Sequence, residues 1–444
     1  MLGLGRKWMF VAIVVGVLKV LLAIVSNGSS DFLAFIYLAR GAFLSLGQGQ
    51  LFLSGAYTGI GLLGAPFFAL WSVLPINHPL ISGMIGPTYF VTSPEGLLLV
   101  LSMKLPFFAF DLFTGVLVFW LVRDLTTSDR RGGIAFLLWY LNPYNIFMIE
   151  IWGSFDIVPA AILLLAVLLA LRSRWVKSGV SLFLATVLRV FPVLLLPVFV
   201  LSEARNGLKR ASLAFAVSYS MLIVLSLMVF RLGSLQAIGD FVVNTSSSSP
   251  WILPILYGLP ISSGLDLAPN VLDVPLSLVL FALPVQLYVI MTFWKKKCYS
   301  ILDMTLAFLL VYFASTIHEP YHFTWVTPLL TAYVVMKKDR PTLLGYLFFS
   351  AFLAMLVHSD ISAGGSAFFL LIPFNDSLRN AAVFLNTLRN EGTIFVEFEG
   401  FYQGILHGLI AAFAVKVNLS ALGLPSKSYG AGNKPGSWRT VVGS

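Results

Sequence analysis

Glu150 and Asp156 bracket the string IWGSFD, and Arg189 stands alone in the apolar run FLATVLRVFPVLLLP. An arginine with no partner in its own apolar segment must meet an anion or line a cavity, because an isolated charge in lipid costs several kcal/mol. The anion can be a phosphate, or a carboxylate such as Asp111 or Asp156. Asp31 follows the first apolar stretch in SNGSSDFLAFIYLARGAF, with Arg40 nine residues later. It reads on its own as a loop acid or a helix N-cap, and Asp156 likewise as the N-cap of the apolar run behind it. Lys104 and Asp111 are seven apart in KLPFFAFDL, on one helix face, and are expected to pair. HEPYHFTW, residues 318–325, matches H-E-x-x-H as a string through His318, Glu319 and His322. Pro320 lies inside it and no third ligand follows, so a zinc helix is disfavoured and an interfacial aromatic anchor is the plainer reading. No metal site is assigned, and a divalent ion stays open as a cofactor.

The elements that must position these residues are membrane spans. The chain has 444 residues, 58% hydrophobic and 11% charged, with a mean hydropathy of +0.92. A soluble domain carries about 25% charged residues. A single cysteine, Cys298, excludes an internal disulfide. The +9 charge is divided among short loops, which points to membrane orientation and away from nucleic acid. Expected spans are 8–26, 97–122, 133–149, 157–171, 211–230, 272–293, 300–316, 323–336, 341–357 and 402–418. Two more apolar runs, 58–75 and 178–201, are ambiguous. The fold class is therefore all-α and polytopic, about 10–12 transmembrane helices in one unit over residues 1–418, with a disordered cytoplasmic tail at 419–444.

With the N-terminus inside, the basic clusters Arg123/Arg130/Arg131, Arg172/Arg174/Lys177, Lys295/Lys296/Lys297 and Lys337/Lys338/Arg340 are all cytoplasmic. Only Arg40, Arg231, Arg379 and Arg389 are left outside, while Lys19, Lys104 and Arg189 fall in apolar runs. This register holds if 58–75 belongs to a long external loop, 27–96, and if 178–201 is a broken re-entrant segment bending around Arg189–Pro192. Phe32, Phe35, Ile36, Leu38 and Ala39 recur at helical spacing, as in an amphipathic helix at the interface. Asp31, Glu150, Asp156, Glu319, His318 and His322 all become external and can converge on one cavity.

The order Asn142-Pro143, then Gly153-x-x-Asp156, then a lone Arg189 with Pro192 and Pro197 resembles the GT-C superfamily of integral-membrane glycosyltransferases. Within it the chain looks most like the mannosyltransferases of the glycolipid-anchor type that use polyprenyl (dolichyl)-phosphate mannose. The resemblance implies a GT-C-like bundle whose long first external loop carries interfacial helices and the catalytic site. It implies Asp31 as the carboxylate base that takes the acceptor proton in an inverting displacement, with Asp156 as a second catalytic acid. Arg189 would hold the lipid phosphate, and Arg40, Tyr57, Glu150, His318, Glu319 and His322 would line the substrate site. Implied partners are a polyprenyl-phosphate sugar donor, a lipid-linked, glycolipid or protein acceptor, and membrane lipid at the plasma membrane or endoplasmic reticulum. The competing expectation is a secondary transporter or lipid flippase, since buried charges and broken helices also mark transport sites.

Overall fold

The computed structural model describes residues 6–24, 30–47, 58–75, 94–189, 191–205, 213, 215–221, 301–315, 320–364, 405 and 408–418. Among these residues every regular element is helical. The expected span 272–293 and the tail 419–444 lie outside them, and 211–230 is covered only at 213 and 215–221.

The helices are α1 (Arg6–Ile24), α2 (Ser30–Gly47), α3 (Thr58–Ser72), α4 (Pro94–Thr126) and α5 (Asp129–Tyr140). They continue with α6 (Ile157–Leu171), α7 (Trp175–Leu188), α8 (Leu196–Arg205), α9 (Ile301–Ser315), α10 (Thr327–Lys337), α11 (Arg340–Gly364) and α12 (Gly408–Asn418). α4 is the hub. At 33 residues it is about 50 Å long at 1.5 Å per residue, and α1, α3, α5, α6 and α10 all pack on it. Its residues Leu117, Val118, Leu121 and Val122 are wholly buried.

The expected interruption at Asn142-Pro143 is present. α5 stops at Tyr140, and Asn142 caps the single turn Pro143–Asn145, accepting from the Tyr144 amide at 2.9 Å. Proline at the first helical position loses nothing, since its missing N–H would be an orphan there anyway. The wide π turn Ile146–Ile151 follows, closed by Trp152 N to Phe147 O at 2.7 Å, and the two halves meet at 45°. The extra residue in that turn rotates Glu150 into the interior. α7 ends at Leu188, Arg189 is extended, and a 3-10 turn Phe191–Leu195 leads into α8. The break in 178–201 therefore falls where the arginine and proline put it.

Residues 58–72 form a helix packed on α2. A Cβ at Gly61 would stand 2.8 Å from the Leu38 carbonyl, so glycine is what lets the two backbones close. On α2 the buried residues are Phe32, Phe35, Ile36, Ala39 and Ala42, close to the expected apolar face.

The distribution of polarity is inverted relative to a soluble protein. α1 exposes Phe10, Ile13, Val17 and Leu21, each more than half accessible, while Lys19, Lys104, Asp111, Glu150, Asp156 and Arg189 are all buried. One helix, Leu98–Thr126, is long and apolar enough to cross a bilayer, and the bent pair Asp129–Tyr140 and Pro143–Ile151 makes a second if it is one span. The apolar helices and buried charges are consistent with a membrane protein.

Candidate functional site

Two buried charge clusters flank the turn between the π helix and α6. In the first, Lys19 of α1 sits between two carboxylates, 2.7 Å from Asp111 Oδ2 and 3.1 Å from Glu150 Oε1. The Tyr140 ring lies 4.3 Å from the same ammonium, and Trp139 Nε1 donates to Asp111 Oδ1 at 3.0 Å. The expected pairing of Lys104 with Asp111 is not what holds either residue. Seven helical positions separate them by about 10 Å along the axis, so sharing a face does not bring them into contact. Lys104 instead donates to the carbonyls of Ala23 at 3.2 Å, Glu150 at 2.8 Å and Ile151 at 3.3 Å. These lie at the C-terminal ends of α1 and the π helix, where unpaired carbonyls and the negative pole of each helix favour a cation.

In the second cluster, Arg189 Nε donates to Asp156 Oδ1 at 2.8 Å, and its Nη2 lies 3.4 Å from Oδ2. The guanidinium stacks 4.5 Å from the Phe155 ring, and the Trp325 side chain also donates to the Asp156 carboxylate. Asp156 stands at the N-cap position of α6, but its side chain makes no cap hydrogen bond. It is turned instead to Arg189. The carboxylate alternative for Arg189 is the one the structure contains, through Asp156 and not Asp111.

The turn itself needs glycine. Gly153 has φ +74, and a Cβ there would lie 2.9 Å from the Phe32 ring. Phe32 in turn lies 5.2 Å from the Lys104 ammonium. The beginning of α2, and so the backbone of Asp31, is thereby brought to the IWGSFD turn; the Asp31 side chain is outside the described residues. The 320–325 turn comes to the same place. Trp325 reaches Asp156, and Thr324 shares a hydrogen bond with Tyr144 at 3.1 Å. His322, half-buried, is on that turn, which begins at Pro320 and so cannot be a zinc helix. Tyr57, His318 and Glu319 lie outside the described residues. Arg40 is on α2, about 13 Å along the axis from Asp31 at helical rise, so the two do not share one spot.

The Asn-Pro motif has a second task. Asn142 Nδ2 donates to Tyr346 Oη at 2.6 Å and to Ser350 Oγ at 3.1 Å, which clamps the kink to α11. Sequence reasoning assigned no role to Lys19 or Tyr346, and placed Trp325 only within the HEPYHFTW stretch as an interfacial aromatic anchor. Lys19 carried a signal as a charge inside the first apolar run, whereas Tyr346 looks like an ordinary aromatic residue of a span. Among the described residues, no group of three or more His, Cys, Asp or Glu is placed to hold a metal ion.

Chemically, the arrangement gathers opposite charges. Lys19 answers Asp111 and Glu150, and Arg189 answers Asp156. Such pairs are strongly held once made, because removing one partner leaves an uncompensated charge at a cost of about 3–5 kcal/mol.

At the opposite end of the bundle, Arg172 Nε meets Asp124 Oδ2 at 2.6 Å, joining the end of α6 to the last turn of α4. Lys416 of α12 meets Asp339 Oδ2, between α10 and α11, at 3.0 Å.

No curated protein and no solved structure matches the chain. Residues 73–272 match the family model of PIG-U, described as GPI transamidase subunit PIG-U, a membrane protein family tied to glycosylphosphatidylinositol (GPI) anchoring. That match corrects the expectation of an enzyme that transfers a hexose from a polyprenyl-phosphate donor. The matched family is a component of a protein-attaching complex and not a glycosyltransferase, so neither the sugar donor nor the base role of Asp31 and Asp156 in such a transfer is retained. Over residues 73–272 the chain is similar to a subunit of the GPI transamidase.

Proposed function

We propose that the chain is a membrane-embedded, non-catalytic subunit of a GPI transamidase-type assembly, acting in the endoplasmic reticulum membrane as one unit over residues 1–418. The observation that carries this reading is the family match over residues 73–272, which contains Lys104, Asp111, Glu150, Asp156 and Arg189. Ion pairing within the bundle suits a supporting role for these residues: they lock the kinked segment, α1, α4, α7 and the 320–325 turn into one rigid end. A rigid end of this kind is what a subunit needs if it is to hold a lipid-anchor substrate and the acceptor protein in register for a partner's chemistry. The basic loops at the opposite end support a cytoplasmic assignment for the ends of α4, α6, α10 and α12.

The test is a depletion experiment in cells that make a GPI-anchored reporter. Loss of the chain should leave the reporter precursor unattached while complete GPI lipid accumulates, and the tagged chain should co-purify with the remaining transamidase components in mild detergent. Normal attachment in depleted cells, or arrest before the GPI lipid is complete, refutes the reading.

A further inference from the structure

The cytoplasmic end of the bundle carries a feature that support of the opposite end does not require. The last turn of α4 and the first turn of α5 supply Arg123, Arg130 and Arg131, and the α6–α7 connection with the first turn of α7 supplies Arg172, Arg174 and Lys177. Asp124 and Asp129 are the carboxylates in the same two segments. The Arg172–Asp124 ion pair at 2.6 Å brings the loops together, so the cations form one face rather than two separate loop charges. Arg172 and Arg123 are fixed in place, 5.8 Å from the Trp120 and Phe119 rings respectively. Arg130, Arg174 and Lys177 are exposed and make no ion pair with Asp124 or Asp129. α5 also begins here, capped by Ser128, and its N-terminal dipole adds to the positive field.

Immediately beyond the cations the surface changes character. Ile134 on α5 is half exposed, one turn from Arg130 and Arg131, and Val176 and Val180 flank Lys177 on α7 with their side chains outward. A small anion would use only the basic part of this surface. A molecule with an anionic head and an apolar tail would use both.

We propose that this face is a binding site for an anionic phospholipid, its phosphorylated headgroup held by Arg130, Arg131, Arg174 and Lys177 and its acyl chains lying along Ile134, Val176 and Val180. The proposal rests on the membrane part of the reading above and is independent of the transamidase part. Charge complementarity selects the head, and the adjoining apolar strip selects lipid over free phosphate. Phosphomonoester headgroups bind best, since they carry more charge than a phosphodiester and offer more acceptor oxygens to guanidinium.

The test uses the full chain in vesicles of phosphatidylcholine alone and of phosphatidylcholine with 10% phosphatidylinositol 4-phosphate. After extraction, retained lipid is read by native mass spectrometry. The expected result is selective retention of the phosphorylated lipid, reduced at least about tenfold in the R130Q/R131Q/R174Q variant, which leaves the Arg172–Asp124 pair intact. K337Q/K338Q, removing cations from a different loop, should retain as much lipid as the native chain. Equal retention by the triple variant and the native chain overturns the site, as does full displacement by millimolar inositol phosphate, which would mean that the tail contributes nothing. Failure of the native chain to float with pure phosphatidylcholine vesicles overturns the membrane reading itself, and the lipid site with it. Failure to co-purify with transamidase components leaves the lipid result unchanged, so the two readings fail separately.

Discussion

Replacing Asp156 with alanine should be among the most damaging single changes in the chain. Asp156 is wholly buried and Arg189 only 7% exposed, so water cannot replace the lost carboxylate. Three donors lose their acceptor at once: Arg189 Nε at 2.8 Å, Arg189 Nη2 at 3.4 Å and the Trp325 side chain. The Phe155 ring, 4.5 Å from the guanidinium, still offers about 1–2 kcal/mol of cation–π attraction. Breaking a buried pair costs about 3–5 kcal/mol, so the net loss should be about 1–4 kcal/mol, or roughly a fivefold to thousandfold fall in the folded population. The informative comparison is with the double variant D156L/R189L. It removes both charges and fills the space with apolar atoms, and buried pairs treated in this way are often neutral to stability. Stability of each variant in detergent is read by limited proteolysis and by heat-induced precipitation, and function by attachment of a GPI-anchored reporter. The expected order is D156A far below the native chain, R189A similarly low, and the double variant restored in stability toward native. If D156A is as stable as the native chain, or if the double variant loses the sum of the two single losses, the pair does not couple and the reasoning fails.

Further expectations can be checked in the same format. Lys104→Ala uncovers the carbonyls of Ala23, Glu150 and Ile151 together and should cost about 1–3 kcal/mol, whereas Lys104→Arg keeps the charge and should recover part of it, as read by proteolysis near residue 24. Gly153→Ala should destabilise by about 1–3 kcal/mol, since φ +74 and the Phe32 ring both oppose a Cβ, and the double variant F32A/G153A should relieve the steric part alone. In sealed microsomes, whose outer surface is the cytoplasmic face, cysteine placed at Ser173 in a background lacking Cys298 should react with an impermeant thiol reagent directly, while cysteine at Ser246 should react only after the membrane is opened; labelling in the opposite sense inverts the orientation. Burial alone would raise the Asp339 carboxyl, but hydrogen bonds from the Thr342 hydroxyl and amide and the Lys416 ion pair outweigh it and hold it below its ordinary 3.8. The link between α12 and the α10–α11 loop is therefore fully present above about pH 4 and fades as pH falls through that lowered value. Asp339→Ala should weaken it by under about 1 kcal/mol, because the pair is partly exposed.

Much of the architecture was legible because local rules act strongly in this chain. The run 157–171 matches its helix at both ends, since the Gly153 turn precedes it and Arg172 follows. Asn142-Pro143 marked a break, and Arg189 marked another, because prolines and charges interrupt apolar helices for reasons contained within a few residues. The partners of the charges were a different matter. Lys19 finds Asp111 and Glu150 on two other segments, and nothing in the spacing of any one segment reveals that pairing. Lys104 and Asp111 mislead for the same reason, sharing a face while serving different neighbours. The functional expectation failed at this point too. Asn-Pro, Gly-x-x-Asp and a lone arginine specify a kink, a turn and an ion pair, and those features serve a supporting subunit as well as an enzyme. Whether a carboxylate is open to a substrate or closed by a cation depends on a residue far away in the chain.

The position of Lys19 has a consequence for how the chain is made. A nascent α1 reaches the membrane with a lysine in the middle of its apolar stretch, and Asp111 is 92 positions away. At about 5–20 residues per second the ribosome needs roughly 5–20 s to supply that carboxylate, and longer for Glu150. During that interval the lysine must rest in a polar opening of the insertion machinery or be shielded by a chaperone. α1 is thus synthesised well before α4 yet completed only with it, and its release into lipid is timed by the arrival of α4.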